Sequence, residues 1–165
     1  MNEETVRQAL KQLPRPDELD GLVAITARNI TEVSVNELPD GGYNVNVYFN
    51  MGNDYWDETD FVKRSAASAE VVFQRLFENP AVARVTVWSE TQFKDPYGKT
   101  STDTGTRLSM DRDTASKVDW NGLATLELED WHHIYDIATQ YYIHPAIYKN
   151  LSDPGDLSVS GGTGQ

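Results

Sequence analysis

Three side chains with metal-ligand chemistry stand four and three residues apart in the second half of the chain: Glu129, His133 and Asp136. On a helix, these spacings put the side chains on one face, within reach of one ion. A solvated polar face explains the same pattern, because a chain with 26 acidic residues places carboxylates beside a histidine by chance. We therefore expect no metal and no cofactor, and keep the three residues as metal candidates for an alternative function.

Residue patterns for other common chemistries are missing from the sequence. The chain has no cysteine, which excludes a disulfide framework, a thiolate metal site and a cysteine nucleophile. It has no Gly-x-Ser-x-Gly motif and no glycine-rich phosphate loop. Acidic pairs such as Asp57 with Asp60, or Asp111 with Asp113, fit glycosidase chemistry, but Asp111 already has a role as a helix cap. We assign no catalytic residue and favour a protein that is not an enzyme.

The charge of the chain excludes some partners. Its formal net charge is −12, and its Lys and Arg residues are scattered, with only Lys63 and Arg64 adjacent, so we expect no nucleic-acid partner. No signal-peptide pattern and no apolar run of about 18 residues is present, which predicts a cytoplasmic protein with no membrane contact. The acidic composition, rich in Asp and Thr and poor in Lys, resembles that of proteins from salt-loving archaea. We therefore expect a halophilic protein, whose acidity describes its solvent rather than a binding site.

Hydrophobic periodicity predicts the order of the elements. Helical spacing predicts a short helix over residues 3–13 and a longer one over residues 59–79, which Pro80 ends. Alternating apolar residues predict two hairpins. The predicted strands lie within residues 21–38, 43–50, 84–92 and 102–110. The order β-β-α-β-β-α predicts an α+β fold, with helices packed on one face of a four-stranded antiparallel sheet in two layers.

The chain beyond the second hairpin is predicted to be helical and then unstructured. Asp111, or as the less favoured alternative Asp113, is predicted to cap a short helix that ends near Val118, and a last helix is predicted over residues 126–142. The predicted inward stripe of that last helix is Trp131, Tyr135, Ala138 and Tyr142, with Glu129, His133 and Asp136 on the opposite side. Residues 152–165 contain no aromatic residue, which predicts a flexible tail with no packing role. Residues 1–151 then form a single domain.

One face of the predicted sheet is too aromatic for an ordinary solvated surface. Its residues are Asn44, Asn46, Tyr48, Thr86 and Trp88. Such a face either binds something or is covered by the terminal segments, and we favour covering because large exposed apolar patches are uncommon on monomers. Tyr48 and Trp88, together with Tyr97 in a predicted turn, are our candidate interaction surface.

Part of the second half resembles a known domain. The residues that carry the resemblance are Trp88-Ser89-Glu90-Thr91-Gln92-Phe93-Lys94-Asp95-Pro96-Tyr97-Gly98-Lys99, Leu108-Ser109-Met110, Thr114-Ala115, Lys117-Val118-Asp119-Trp120-Asn121 and His144-Pro145-Ala146. Residues 85–146 thereby resemble a small uncharacterised α+β domain of hypothetical and exported proteins of Gram-positive bacteria. The resemblance implies an accessory role and no particular chemistry. This chain differs in its greater acidity, and we expect no export signal because its printed N-terminal residues show no such pattern.

Three hypotheses for the function follow from these patterns. The first is a non-enzymatic interaction or accessory module that presents the Trp88 sheet face or the Tyr97 turn to a protein partner or to its own copy. The second is a metal-binding protein or metal-dependent enzyme that uses the His133 helix. The third is a small-ligand carrier with a pocket between the sheet and the helices.

Overall fold

A computed structural model describes residues 1–164 of the chain. The helices are α1 (Glu3–Leu10), α2 (Glu58–Leu76), α3 (Arg112–Ala115), α4 (Trp120–Glu129), α5 (His133–Ile137) and α6 (Pro145–Tyr148), with a 3-10 turn at Asp17–Leu19. The strands are β1 (Ile30–Glu37), β2 (Tyr43–Asn50), β3 (Val82–Lys94), β4 (Thr100–Asp111), β5 (Gln140–Ile143) and β6 (Ser160–Gly161). The α+β class predicted from the sequence is confirmed. None of the helices in this described part is long and apolar enough to cross a membrane.

The sheet differs from the predicted four-stranded antiparallel one. Residues 1–164 form a six-stranded sheet in the order β1-β2-β3-β4-β5-β6. The strands β2 and β3 are parallel, and every other neighbouring pair is antiparallel. The reason is α2, which joins β2 to β3 as a crossover and returns the chain to the end of the sheet where β2 began. The prediction failed because it treated the two hairpins as an antiparallel series.

The helix α2 forms where its sequence predicts and packs on one face of the sheet. Asp57 caps its N-terminus by accepting a hydrogen bond from the backbone N–H of Asp60. Its buried stripe covers the inward valines of β2 and β3, such as Val47 and Val87. Close approach to β4 depends on Gly105, where a Cβ atom would lie 2.5 Å from the ring of Phe61. The core therefore lies between α2 and this sheet face.

The predicted last helix over residues 126–142 is wrong. The helix α4 ends at Glu129, and Asp130 has an extended backbone with φ −151° and ψ 110°. The short helix α5 follows, and Ala138 then directs the chain into β5. These residues form a strand rather than a helix because a strand turns Tyr141 and Ile143 to one face, where both are buried. Tyr142 lies on the opposite face. Of the predicted inward stripe, Tyr135 and Ala138 are fully buried, Trp131 is half-buried and Tyr142 belongs to the sheet.

The prediction that the C-terminal segment has no packing role is also wrong for residues 152–164; Gln165 lies outside the described residues. Leu157 is buried in the core, and its carbonyl accepts a hydrogen bond from Tyr148 Oη. The strand β6 pairs with β5, and the backbone carbonyl of Asp153 lies 2.8 Å from His132 Nε2. One buried leucine and backbone pairing to a sheet edge are enough to hold a polar segment in place.

An aromatic row as the candidate functional site

A row of large side chains crosses the sheet on the face opposite α2. We call Tyr48, Trp88, Arg107 and Tyr142 the aromatic row. Each stands opposite the next on neighbouring strands: Tyr48 with Trp88, Trp88 with Arg107, and Arg107 with Tyr142. Directly opposite residues have Cβ atoms about 4.5–5.5 Å apart, so large side chains at these positions must touch. The alternation of the strands places them on the face away from the core.

The members of the aromatic row stack on one another. The rings of Tyr48 and Trp88 are 5.0 Å apart between centroids and 13° from parallel. The guanidinium carbon of Arg107 lies 5.3 Å from the Trp88 ring centroid and 5.8 Å from that of Tyr142, which is cation–π geometry. Trp88 Nε1 also donates a hydrogen bond of 3.1 Å to Asn46 Oδ1. The ring faces of Tyr48, Trp88 and Tyr142 thus contact other members of the aromatic row.

The aromatic row is half-buried, whereas the valines on the other face of the same strands are fully buried. Our favoured prediction, that the terminal segments cover this face, is not what the structure shows. The helix α1 contacts α2 and the first strand, and the C-terminal segment extends the sheet by pairing with β5. The N-terminal helix thus packs in the helix layer and the C-terminal segment packs at the sheet edge, so neither covers the aromatic row.

Arg107 and Tyr142 are the two members of the aromatic row that the sequence analysis did not assign to the interaction surface. Within residues 1–164 no hydrogen bond or ion pair to the guanidinium of Arg107 is found, and its Nε atom is buried without a partner. Arg64, by comparison, pairs with Asp60, and Arg112 donates to three backbone carbonyls. The alternation of Arg107 with Leu108 placed it on the open face, but only the strand register puts it between two rings.

Polar and acidic residues surround the aromatic row. Thr86 Oγ1 and Ser109 Oγ are 2.8 Å apart, forming a small polar strip beside it. Glu32 on β1 stands opposite Tyr48 at one end of the row. The pKa of Tyr48 is raised, first by burial and then by the charges of Glu32 and Glu90. The phenol of Tyr48 therefore keeps its proton as a hydrogen-bond donor.

Tyr97 does not join the aromatic row. It is 89% exposed in the turn between β3 and β4, where Asp95 Oδ1 accepts hydrogen bonds from the backbone N–H groups of Tyr97 and Lys99. These two strands extend beyond their neighbours in the sheet, so the turn lies at the tip of a two-stranded ribbon. The predicted interaction residues thus lie in two separate places. Tyr48 and Trp88 are together in the aromatic row, and Tyr97 is at the tip of the ribbon.

The metal candidates do not share a helix face. Glu129 ends α4, His133 begins α5, and the turn between them breaks the spacing on which the metal hypothesis depended. Among residues 1–164 no group of three His, Cys, Asp or Glu side chains is placed to hold a metal ion. The pKa of Asp136 is raised because burial outweighs the opposing effect of His132 and His133.

Two carboxyl groups lie in the protein interior, a feature that the sequence analysis did not identify. Within residues 1–164 neither oxygen of Glu70 on α2 has a hydrogen-bond partner, and burial raises its pKa to about 8. Glu127 on α4 accepts a hydrogen bond of 2.7 Å from the buried backbone N–H of Ile134. Burial, followed by the charge of Glu70, raises the pKa of Glu127 to about 9. Glu127 caps the start of α5 from outside that helix.

A groove of about 670 Å³ lies between the short helices, away from the aromatic row. Its apolar wall includes Val118, Leu123, Leu126 and Ile137, and Lys117, Asp119 and Asp136 lie at its margin. Its volume is within the range of small-ligand sites, about 300–1,000 Å³.

Comparisons with known proteins leave the row as the main guide to function. No family model, no curated protein and no solved structure matches the chain. The resemblance of residues 85–146 to the domain of Gram-positive proteins stays a prediction. The class that the fold and site define is an α+β domain with one uncovered sheet face.

Proposed function

We propose that this chain is a non-enzymatic protein-interaction module, and that the aromatic row contacts its protein partner. The observation that supports this function is one continuous stack of Tyr48, Trp88, Arg107 and Tyr142 on an uncovered sheet face. Trp, Tyr and Arg are the residues that dominate the binding energy of protein interfaces.

Preorganisation also favours binding at the aromatic row. Immobilising a flexible side chain at an interface costs about 0.5–1.5 kcal/mol. The stack already restricts Tyr48, Trp88 and Arg107 before a partner arrives, and the bond from Trp88 to Asn46 fixes one ring further. Less of the binding energy is then lost to ordering.

Site-specific photo-crosslinking tests the proposed function. A photoreactive phenylalanine analogue placed at Tyr142 should crosslink to a partner protein in cells of the source organism. The matched control carries the same analogue at Trp56, which is 90% exposed and off the row. A partner identified by mass spectrometry should then bind the purified chain in a defined stoichiometry. Equal crosslinking from both positions, or none from Tyr142, would contradict the proposal.

A second variant separates the row from general surface contact. Trp88→Ala removes the centre of the stack and should weaken the purified complex by about tenfold or more, as expected for an interface hot spot. Trp56→Ala removes an exposed ring elsewhere and should leave the affinity unchanged. Circular dichroism of both variants must match the original protein for the comparison to count.

A small-ligand carrier is the second candidate function, because of the 670 Å³ groove. A fluorescent fatty-acid analogue should bind the original chain, and Leu126→Asp in the groove wall should abolish binding. Leu128→Asp is the matched control, since Leu128 is 62% exposed and does not line this groove. Equal binding by both variants would exclude the groove as the site.

A further inference from the structure

We infer that the partner of the aromatic row is a second copy of this chain, bound face to face about a two-fold axis; this inference rests on the proposed function. Across β1 to β4 the residues that stand opposite one another are Glu32, which precedes the aromatic row, and then its members Tyr48, Trp88 and Arg107. An axis parallel to the strands and between β2 and β3 reverses this order in the second copy. Glu32 then faces Arg107 of the second copy, and Tyr48 faces its Trp88, each twice by symmetry.

The charges of the row are complementary under this reversal. Neither Glu32 nor Arg107 has an ion pair among residues 1–164, although Arg7, Arg64 and Arg75 all pair with a carboxylate. The guanidinium of Arg107 lies between two rings, and a guanidinium can donate two parallel hydrogen bonds to a carboxylate. The symmetric contact supplies each unpaired charge with the opposite one.

The neighbouring cross-strand rows are compatible with the same axis. The next row reads Ser34, Asn46, Thr86, Ser109, and the one after it reads Asn36, Asn44, Arg84, Asp111. Reversal places Ser34 opposite Ser109 and Asn46 opposite Thr86, which are small polar pairs. It places Asn44 opposite Arg84 and Asn36 opposite Asp111. No like charges meet, and like charges directly opposed are what most often exclude an interface.

The area of the face is sufficient for a specific contact. Four strands about 4.8 Å apart and eight residues long at about 3.3 Å each present roughly 500 Å² of projected surface. Two copies bury about twice this area, which reaches the ~1,000 Å² expected of a biological interface. The ridged surface of real side chains buries more than its projection.

Salt is expected to strengthen this dimer. Each copy carries a formal net charge of −12, so long-range repulsion opposes association at low salt. At 1 M salt the screening length falls to about 3 Å, which removes that long-range repulsion, whereas the ion pairs of Glu32 with Arg107, partly buried in the contact, are screened much less. A positively charged partner would show the opposite dependence, since salt weakens its attraction to this chain. The direction of the salt effect therefore distinguishes a second copy from a basic protein.

Sedimentation equilibrium of the purified full chain in 0.1 M and 2 M KCl tests the inference. We expect a monomer–dimer equilibrium that shifts toward the dimer at 2 M. Arg107→Glu and Glu32→Arg should each weaken the dimer about tenfold or more by facing like charges across the axis. The double variant restores opposite charges and should recover the original affinity to within about threefold.

Matched controls carry the same charge changes elsewhere. Glu37→Arg lies on β1 with the parity of Val33, toward the other face of the sheet, and Arg28→Glu is exposed before that strand. Both should leave the dimer unchanged. Thermal melting of every variant confirms folding, and the rescue by the double variant cannot come from a misfolded chain.

The results separate this inference from the proposed function. A monomer under all conditions overturns the second-copy inference, whereas a different protein crosslinked at Tyr142 keeps the interaction function. A dimer that dissociates in 2 M KCl, or one indifferent to both single charge reversals, also overturns the inference because its contact is elsewhere. Absence of any crosslink from Tyr142 contradicts the proposed function, whereas the dimer is decided by the charge reversals, because Tyr142 on β5 lies outside the contact of β1 to β4.

Discussion

The side chains of Glu70 and Glu127 are two acidic groups buried in the protein interior. In the part of the chain that the structure describes, neither oxygen of Glu70 has a hydrogen-bond partner, and one oxygen of Glu127 accepts a hydrogen bond from the N–H of Ile134. An ionised carboxylate in this environment loses its hydration without compensation, so the protonated form is favoured in the folded state. Hydrophobic periodicity does not predict such groups, because the pattern assigns every acidic residue to the exposed side of a helix.

The raised pKa values predict stability that falls as pH rises. A free Glu titrates near pH 4.3, whereas the pKa values in the fold are about 8 for Glu70 and about 9 for Glu127. Between these limits the folded state binds more protons than the unfolded state, so the free energy of unfolding decreases from about pH 4.5 to about pH 9. Above about pH 9 these two groups no longer change the free energy of unfolding as the pH rises.

Urea denaturation at pH 6, 7, 8 and 9 measures this dependence. Glu70→Gln keeps the shape and removes the charge, so it should flatten the slope and stabilise the protein at pH 9 by about 1–3 kcal/mol. Glu129→Gln, on the exposed end of the same helix as Glu127, is the control and should keep the original slope. An unchanged slope in Glu70→Gln contradicts the assignment of the charge to Glu70.

At the scale of elements, the contact of α2 with β4 depends on the absence of a side chain. Gly105→Ala would place a Cβ atom 2.5 Å from the ring of Phe61 and 2.9 Å from Ile147. We expect a loss of about 1–3 kcal/mol in the free energy of unfolding, since the buried ring has no space to move into. Phe61→Leu combined with Gly105→Ala should lose less than the two single changes added together, which a double-mutant cycle by urea denaturation detects.

The C-terminal segment is an element that contributes to stability. Leu157 is 5% exposed in the core, so Leu157→Ala should lower the free energy of unfolding by about 2–4 kcal/mol. Val159→Ala, two residues away and 37% exposed, should cost well under 1 kcal/mol. Urea denaturation of both variants provides the measurement. Equal small effects would mean that the segment does not pack as described.

The elements differ in how far their sequence predicted them. The strand β2 and the helix α2 each carry an unbroken pattern of one period, and both were predicted within a few residues of their observed bounds. Residues 126–142 carry helical spacing and strand alternation at once, so local pattern gave one long helix. The structure resolves the conflict through pairing of β5 with β4, a contact distant in sequence.

At the scale of the whole molecule, the net charge of −12 predicts a stability that rises with salt. Unfolding separates the surface carboxylates, so their mutual repulsion favours the unfolded chain until salt screens it. The free energy of unfolding, measured with urea by Trp fluorescence, should increase between 0.1 M and 2 M KCl.

A variant of lower charge is the control for this prediction. Asp20→Asn, Glu37→Gln and Asp54→Asn are exposed changes that together bring the formal charge from −12 to −9. This variant should gain less stability from salt than the original protein. A gain of equal size would assign the salt effect to hydrophobic burial, which salt also strengthens.

The sequence by itself determined the α+β class, the long helix, the segments of the first four strands and the outward position of Tyr48 and Trp88, because these depend on periods of 2 and 3.6 along a short stretch. Only the tertiary structure decided that β2 and β3 are parallel and that Arg107 and Tyr142 complete the row. It also decided that the C-terminal segment packs and that two glutamates are buried. These features arise from strand register and from contacts between distant segments, where each side chain has many possible partners and the packing of the whole chain selects one.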